Sequence, residues 1–161
     1  MAPPNAVGTL NGMSHGQGDL AQLFRRMVYN VLCNNADGHL RNPGFIYMHG
    51  HGWRLSPAYD MVPQPDRVPQ TPRLLTLGVG INGGREATLD NALSACPVFG
   101  LLQEEGEKII TTMKTIFLSQ WEKTFMKSEC SEKRFAHAGR GLCQSYKKLK
   151  GQKPLTGSSH P

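Results

Sequence analysis

An amphipathic helix that stops at two asparagines is the feature that most constrains the fold of this chain. From residue 19 onward, apolar side chains recur at the spacing of one helical face, and Asp19 is predicted to be the N-cap of this helix. Asn34 and Asn35 favour turns and caps over helix interiors, so the helix is predicted to end there. The polar segment that follows therefore begins where a buried helix ends. The predicted buried face consists of Leu20, Leu23, Phe24, Met27, Val31 and Leu32.

The rest of the chain predicts a mostly helical α+β fold with one small hairpin. Apolar residues at 45–48 and 53–55 flank a glycine-bearing turn, which is typical of a short hairpin. Prolines in 61–72 predict an ordered loop or lid. Further predicted elements are a short strand at 74–81, a turn at 82–84, and helices at 88–95, about 104–126 and 131 to about 149, with a break at Cys96 and Pro97 after the first of these helices. Helical spacing in 104–126 predicts Ile109, Phe117 and Trp121 as core residues. Residues 1–18 are expected to be a flexible leader and 150–161 a disordered tail, which leaves one domain at 19–149.

Length and composition exclude several classes of protein. A chain of 161 residues is one domain's worth, and no apolar run approaches the roughly 20 residues that span a bilayer. The N-terminus lacks the features of a signal peptide, so a cytoplasmic protein without membrane contact is expected. The net charge of +6 is scattered, which favours a solvated surface over direct contact with nucleic acid. Four separated cysteines predict reduced, mostly buried thiols: Cys33, Cys96, Cys130 and Cys143.

Three side chains in 37–60 suit phosphoryl transfer. That reaction needs a carboxylate that accepts the proton of an attacking hydroxyl and oxygen ligands for magnesium on the phosphates. Asp37 and Asn42 have the Asp-x-x-x-x-Asn spacing of a kinase catalytic loop, in which the Asp is the base and the Asn a metal ligand. Asp60, just after the predicted hairpin, stands where a kinase places its main metal carboxylate.

Each of these residues also has a purely structural interpretation. Asp37 could cap a turn and Asn42 could hold a left-handed backbone position before a proline, while Asp60 could cap the proline-rich segment. His39 could bond the loop backbone, which is compatible with a phosphate contact. The histidines of the hairpin turn have no third ligand in view, so exposed turn residues are favoured over a metal site there.

At these residues the chain resembles the C-terminal kinase domain of HipA-type proteins, the serine/threonine toxin kinases of bacterial toxin–antitoxin pairs. Residues 24–32 (FRRMVYNVL) look like the helix that enters their catalytic loop, 37–45 (DGHLRNPGF) like the loop, and 53–60 (WRLSPAYD) like their metal-binding segment. The similarity continues through the later helices and covers about residues 19–140. It implies the helical larger lobe of a protein-kinase-like fold, with a hairpin that bears the metal-binding Asp.

The resemblance also implies roles for individual residues. Asp37 would be the proton acceptor, and Asn42 and Asp60 the magnesium ligands. Neighbours of the nucleotide phosphates would be His39, Leu40, Arg41 and Tyr59. The family phosphorylates serine or threonine hydroxyls of protein substrates with ATP and Mg²⁺, and its members pair with DNA-binding antitoxins of the HipB type.

HipA-type proteins also have an N-terminal lobe with a phosphate-covering loop, a lysine and an adenine-holding hinge, which the residues before Asp19 do not supply. Without these charges, the chain alone is expected to bind ATP weakly at best and to transfer phosphate negligibly. Three interpretations stay open. The chain is the catalytic half of an enzyme whose N-terminal lobe acts in trans or was lost, an inactive lobe that binds an antitoxin or another protein, or a decayed remnant. An exposed apolar patch is predicted where the lobe would dock.

Overall fold

A computed structural model of the chain describes residues 17–39, 42–64 and 73–127. In chain order the elements are helix α1 (Gln17–Cys33), strands β1 (Phe45–Met48) and β2 (Gly52–Leu55), helix α2 (Leu89–Ser94), a 3₁₀ helix (Cys96–Phe99) and helix α3 (Gln103–Lys127). Within these ranges the mostly helical α+β prediction is confirmed. The leader up to residue 16, the helix predicted at 131–149 and the tail at 150–161 lie outside the described residues.

Helix α1 carries most of the buried face that its periodicity predicts. It packs against α2, the 3₁₀ helix, α3 and β2. The Phe24 ring is fully buried and meets Phe99 edge to face, with 5.4 Å between ring centroids. Val28, which the predicted face omits, is also fully buried, because neighbours on several sides widen the apolar stripe.

The N-cap predicted at Asp19 is wrong. Helix α1 begins at Gln17, so Asp19 lies inside its first turn. The Asp19 carboxylate instead accepts hydrogen bonds from Arg54 and Leu55, where β2 ends. Asp19 therefore pairs with Arg54, 35 residues away in the chain, instead of capping its own helix.

The hairpin forms where it was predicted. Phe45 pairs with Leu55 and Met48 with Gly52 in antiparallel register, and the turn residue Gly50 has a φ of 79°. Phe45 and Leu55 pack against the core and attach the base of the hairpin to it. The far end extends into solvent with four exposed apolar side chains: Ile46, Tyr47, Met48 and Trp53.

The strand predicted at 74–81 is wrong. An isolated antiparallel bridge, Leu74 with Glu86, is the β pairing of this segment. Beyond the bridge the chain folds into a compact loop, in which the Val79 amide donates to the Gly84 carbonyl at 2.6 Å. A Cβ on Gly78 would lie 2.9 Å from Gly83 Cα, so glycine permits a backbone approach that an extended strand would not make. The predicted turn at 82–84 lies inside this loop.

Helix α2 follows its sequence signals closely. Thr88 is its N-cap, and the Thr88 hydroxyl accepts a hydrogen bond from the Asn91 amide at 3.1 Å. The break predicted at Cys96 and Pro97 is a 3₁₀ helix with proline in its first turn, and Gly100 ends it in the left-handed conformation.

Helix α3 starts one residue before its predicted start, and Ile109 and Phe117 pack against the core as predicted. Gly106 and Ile110 are also buried, whereas Ile116, which shares the helical spacing of the predicted face, is 55 % exposed. Gly106 lies against Cys96, and this close approach sets which side of α3 faces the core. The side chain of Trp121, also predicted in the core, lies outside the described residues.

Two of the four cysteines lie in the described residues, and both are free and buried as predicted. Burial raises the pKa of the Cys33 thiol to about 12 and that of Cys96 to about 11, so both stay protonated at neutral pH. No helix in residues 17–39, 42–64 and 73–127 has the length and apolarity needed to cross a membrane.

Candidate active site

The end of α1 shapes the loop that carries Asp37. Asn34 has a φ of 55°, a left-handed conformation that asparagine tolerates, and the Asn35 amide returns to the Asn30 carbonyl at 3.0 Å. The Asn35 side chain also donates to the Asn30 side chain at 3.1 Å. Asn34 and Asn35 are both buried, and their side-chain hydrogen bonds hold the loop's shape.

Asp37 is an exposed residue of this loop. Immediately before it, the Ala36 carbonyl accepts a hydrogen bond from the Thr76 hydroxyl, which links the loop to the segment that begins at residue 73. Immediately after it, Gly38 is buried, and a Cβ there would lie 3.3 Å from the side-chain nitrogen, Nδ2, of Asn30. Asp37 thus projects from a loop that is attached on both sides, with its carboxylate accessible to a substrate.

Asn42 and Asp60 meet in the folded chain. The Asn42 side-chain amide donates to the Asp60 carbonyl at 3.3 Å, across 18 residues of sequence. This bond uses the nitrogen of the amide and directs Asn42 to the segment that bears the Asp60 carboxylate. Asp60 has a φ of 55°, and such strained non-glycine positions concentrate at functional sites.

His39 and Tyr59 are exposed neighbours of these residues. The His39 carbonyl accepts a hydrogen bond from the Asn42 backbone amide at 3.0 Å, so these two residues lie side by side. A Cβ on Gly44 would lie 3.1 Å from the Tyr59 hydroxyl, which places the ring over the start of the hairpin. Leu40 and Arg41, also predicted at the phosphates, lie outside the described residues.

A cleft runs beside the predicted site. Its walls are mainly apolar and come from α1, residues 75–79 and Phe99. Three of the predicted site residues line it, His39, Asn42 and Tyr59, whereas Asp37 and Asp60 do not. The other polar side chains of the lining are Arg26, Asn30 and Asn35.

The donor set fits a cation that is shared with phosphate oxygens better than a closed metal cage. Within the described residues, no group of three or more His, Cys, Asp or Glu side chains is close enough to hold a metal ion. One carboxylate and one amide are the oxygen ligands expected for Mg²⁺, which keeps waters and takes substrate phosphates for the rest of its shell.

Two contacts hold the segment before Asp60 against α1, and sequence patterns did not reveal either. Arg54 Nε and Nη2 bind the two Asp19 carboxylate oxygens at 2.7 and 3.1 Å, and the Leu55 amide donates to Asp19 at 3.1 Å. Arg26 Nη2 donates to the Ser56 carbonyl. The hydrogen bond from Arg54 holds the pKa of Asp19 below its usual value, and burial lowers the pKa of Arg26.

The sequence carried only partial signals for these contacts. Arg26 lies off the apolar face, which marks it as polar but names no partner. Asp19 and Arg54 have opposite charges, but their pairing depends on where the hairpin packs.

Comparison with known proteins identifies the family. The profile of the HipA-like C-terminal domain matches residues 4–121, which is most of the chain. The chain belongs to the HipA-like C-terminal domain family. The resemblance seen in the sequence is thereby confirmed. The matched range begins before the domain start predicted at residue 19.

Two relatives, each named a putative kinase, are similar in sequence to part of the chain. The protein Y4dM of Sinorhizobium fredii is 38% identical over 56 residues, which are 35% of this chain and 14% of the relative. A protein of Haemophilus influenzae is 43% identical over 53 residues, 31% of this chain and 16% of the relative. The chain therefore matches less than a fifth of the length of either relative, and most of each relative lies outside the comparison.

Proposed function

We propose that this HipA-like domain supplies the base and the metal ligands of a serine/threonine protein kinase that uses ATP and Mg²⁺. The contact between the Asn42 side chain and the Asp60 carbonyl carries the proposal, because it joins the two segments predicted to bind magnesium. Family membership and the names of the two relatives support the same class of activity.

In this proposal Asp37 accepts the proton of a serine or threonine hydroxyl. The hydroxyl oxygen forms a bond to the γ-phosphorus as the bond to the ADP oxygen breaks, and ADP leaves. Asn42 Oδ1 and the Asp60 carboxylate would hold Mg²⁺, which supplies charge compensation on the phosphates. His39 and Tyr59, which line the cleft, are proposed to orient the phosphates, together with Leu40 and Arg41.

A complete kinase site needs further parts, which we propose lie outside the residues named above. An N-terminal lobe that covers the phosphates, provided within a longer chain or in trans, would complete nucleotide binding. A DNA-binding antitoxin of the HipB type is the proposed regulatory partner. The alternative function is an inactive lobe that binds such a protein without catalysis.

Thermal unfolding with nucleotide separates these functions. We expect ATP with Mg²⁺ to raise the melting temperature of the parent chain by mass action and Asp60→Asn to abolish the rise. Asp90→Asn, an exposed carboxylate on α2, is the matched control and should keep it. No rise at any nucleotide concentration would contradict the proposed site and favour the binding-module function.

Asp37→Asn tests the base separately from the metal. Because Asp37 is not a proposed ligand, this variant should keep the rise in melting temperature. Phosphoryl transfer by the assembled kinase, followed with labelled ATP, should fall by about 10²- to 10⁴-fold, as when a general base is lost. Equal transfer by parent and Asp37→Asn would remove Asp37 from the mechanism.

A further inference from the structure

We propose that Asp19 and Arg26, both on α1, are positioning residues that set the location of Asp60, and that the pair Asp19–Arg54 and the contact Arg26–Ser56 together form a helix clamp. This inference rests on the proposed function, because it concerns how the metal-binding Asp is held. Neither residue has a predicted role in catalysis or ligand binding.

The first half of the clamp is the Asp19 carboxylate. It lies in the first turn of α1 and is 8 % exposed. Both of its oxygens receive the Arg54 guanidinium in a two-point arrangement, and one also accepts the Leu55 backbone amide. Paired, charge-assisted bonds of this kind fix orientation as well as distance. They therefore hold the end of β2 in one position on the helix.

The second half is Arg26, two turns further along α1. Seven residues separate it from Asp19, so both side chains project from the same side of the helix. Arg26 Nη2 donates to the Ser56 carbonyl, the next residue after β2. Its Nε and Nη1 atoms are buried and have no hydrogen-bond partner among the described residues. Burying these donors costs free energy. The buried position of the Arg26 side chain is therefore consistent with one that is maintained for its contact with Ser56.

The clamp matters because α1 also leads into the other half of the site. Asp37 lies four residues after Cys33, where α1 ends, and Asn42 follows in the same loop. Asp60 lies four residues after the clamped Ser56, in a segment without helix or strand. The positions of the proposed proton acceptor and of the proposed metal carboxylate are thus both set relative to one rigid helix, α1. The Asn42 contact to the Asp60 carbonyl joins the two loops at their far ends.

Apolar packing of the hairpin alone would not fix the position of Asp60. Phe45 and Leu55 attach the hairpin to the core through apolar contacts, which tolerate small shifts and rotations. Hydrogen bonds to Leu55 and Ser56 are directional and act on the backbone that continues to Asp60. Supporting contacts to metal ligands typically change metal affinity by about 10- to 100-fold when they are removed.

The test measures Mg²⁺-dependent ATP binding to the full chain by calorimetry and backbone exchange by hydrogen–deuterium mass spectrometry. We expect Asp19→Ala and Arg26→Met each to weaken binding roughly tenfold, by comparison with other residues that support metal ligands. Both should speed amide exchange in residues 55–61. Ile110→Val, a fully buried site on α3, is the control for lost stability and should change neither result when its melting temperature is lowered to the same extent.

The outcomes separate the clamp from the proposed function. If the parent binds ATP with Mg²⁺ and both α1 variants bind equally well, the clamp is overturned and the function stands. Unchanged exchange in 55–61 also overturns the clamp. If the parent itself shows no Mg²⁺-dependent binding, the proposed function fails, and with it any positioning role of Asp19 and Arg26.

Discussion

Asp19 links the start of α1 to the end of β2 through three hydrogen bonds, two from the Arg54 side chain and one from the Leu55 amide. The hydrogen bond from Arg54 is the main cause of its lowered pKa, and partial burial opposes the shift. In the unfolded chain this partner is absent, and the carboxyl titrates near its ordinary value of about 3.9. The ionised form is therefore favoured by folding.

The sign of this shift predicts an acid-dependent loss of stability. A folded-state pKa below the unfolded value contributes stability that is complete above about pH 4 and is lost as the pH falls through the lower folded value. We expect the free energy of unfolding of Asp19→Asn to lie below that of the parent at pH 7, with the difference shrinking below about pH 4. Urea titrations between pH 7 and 3 measure this.

The partner variant supplies the control. Arg54→Met removes the ion pair from the other side, so Asp19→Asn made in that background should show little further pH-dependent loss. A difference between Asp19→Asn and the parent that stays constant from pH 7 to pH 3 would contradict the role given to the pair.

Among the elements, α3 shows how one small residue sets a helix face. Gly106 lies against the buried Cys96, and an added Cβ would overlap the Cys96 sulfur. Ile110 is then fully buried one turn later. Periodicity alone puts Ile116 on the same stripe as Ile109 and Phe117, which pack against the core, although Ile116 is exposed, because periodicity does not show which side of a long helix lies closest to its neighbour.

Gly106→Ala should destabilise the protein, although alanine usually stabilises a helix by about 1 kcal/mol relative to glycine. Overlap with Cys96 in a packed core is expected to cost about 1–3 kcal/mol, which outweighs the helical preference. Urea denaturation of the single and double variants measures the balance. In a Cys96→Ala background the sulfur is absent, and Gly106→Ala should become neutral or stabilising. Destabilisation of the same size in both backgrounds would show that the contact is not the cause.

At the scale of the whole molecule, the candidate site is assembled from long-range contacts. Asp19 meets Arg54, Asn42 meets Asp60, and the segment that starts at residue 73 reaches the loop beside Asp37 through Thr76. None of these segments forms the site alone. The site should therefore be lost together with the core rather than in a separate step.

Coincident unfolding transitions are the measurable consequence. In a Trp121→Phe variant, Trp53 fluorescence reports the hairpin and far-ultraviolet circular dichroism reports the helices. Because the hairpin is bound to α1 by the clamp and by Phe45 and Leu55, we expect one urea midpoint from both probes. A fluorescence midpoint clearly below that of circular dichroism would show that the hairpin opens independently.

The sequence alone determined what depends on neighbours within about one helical turn. The period of α1, the Asn34–Asn35 stop and the glycine-bearing hairpin turn each act through residues close in the chain, and the structure has each of them. Family membership also follows from residues that stand together in the sequence, in 24–32, 37–45 and 53–60.

Tertiary structure decided everything that depends on a distant partner. Asp19 became a clamp residue rather than a cap because Arg54 lies beside it in the fold. Residues 74–81 became a loop because Gly78 lies so close to Gly83 that a side chain would not fit between them. The meeting of Asn42 with Asp60 likewise depends on how the hairpin packs against α1. Local patterns specify which groups are present, and only the packed chain specifies which of them meet.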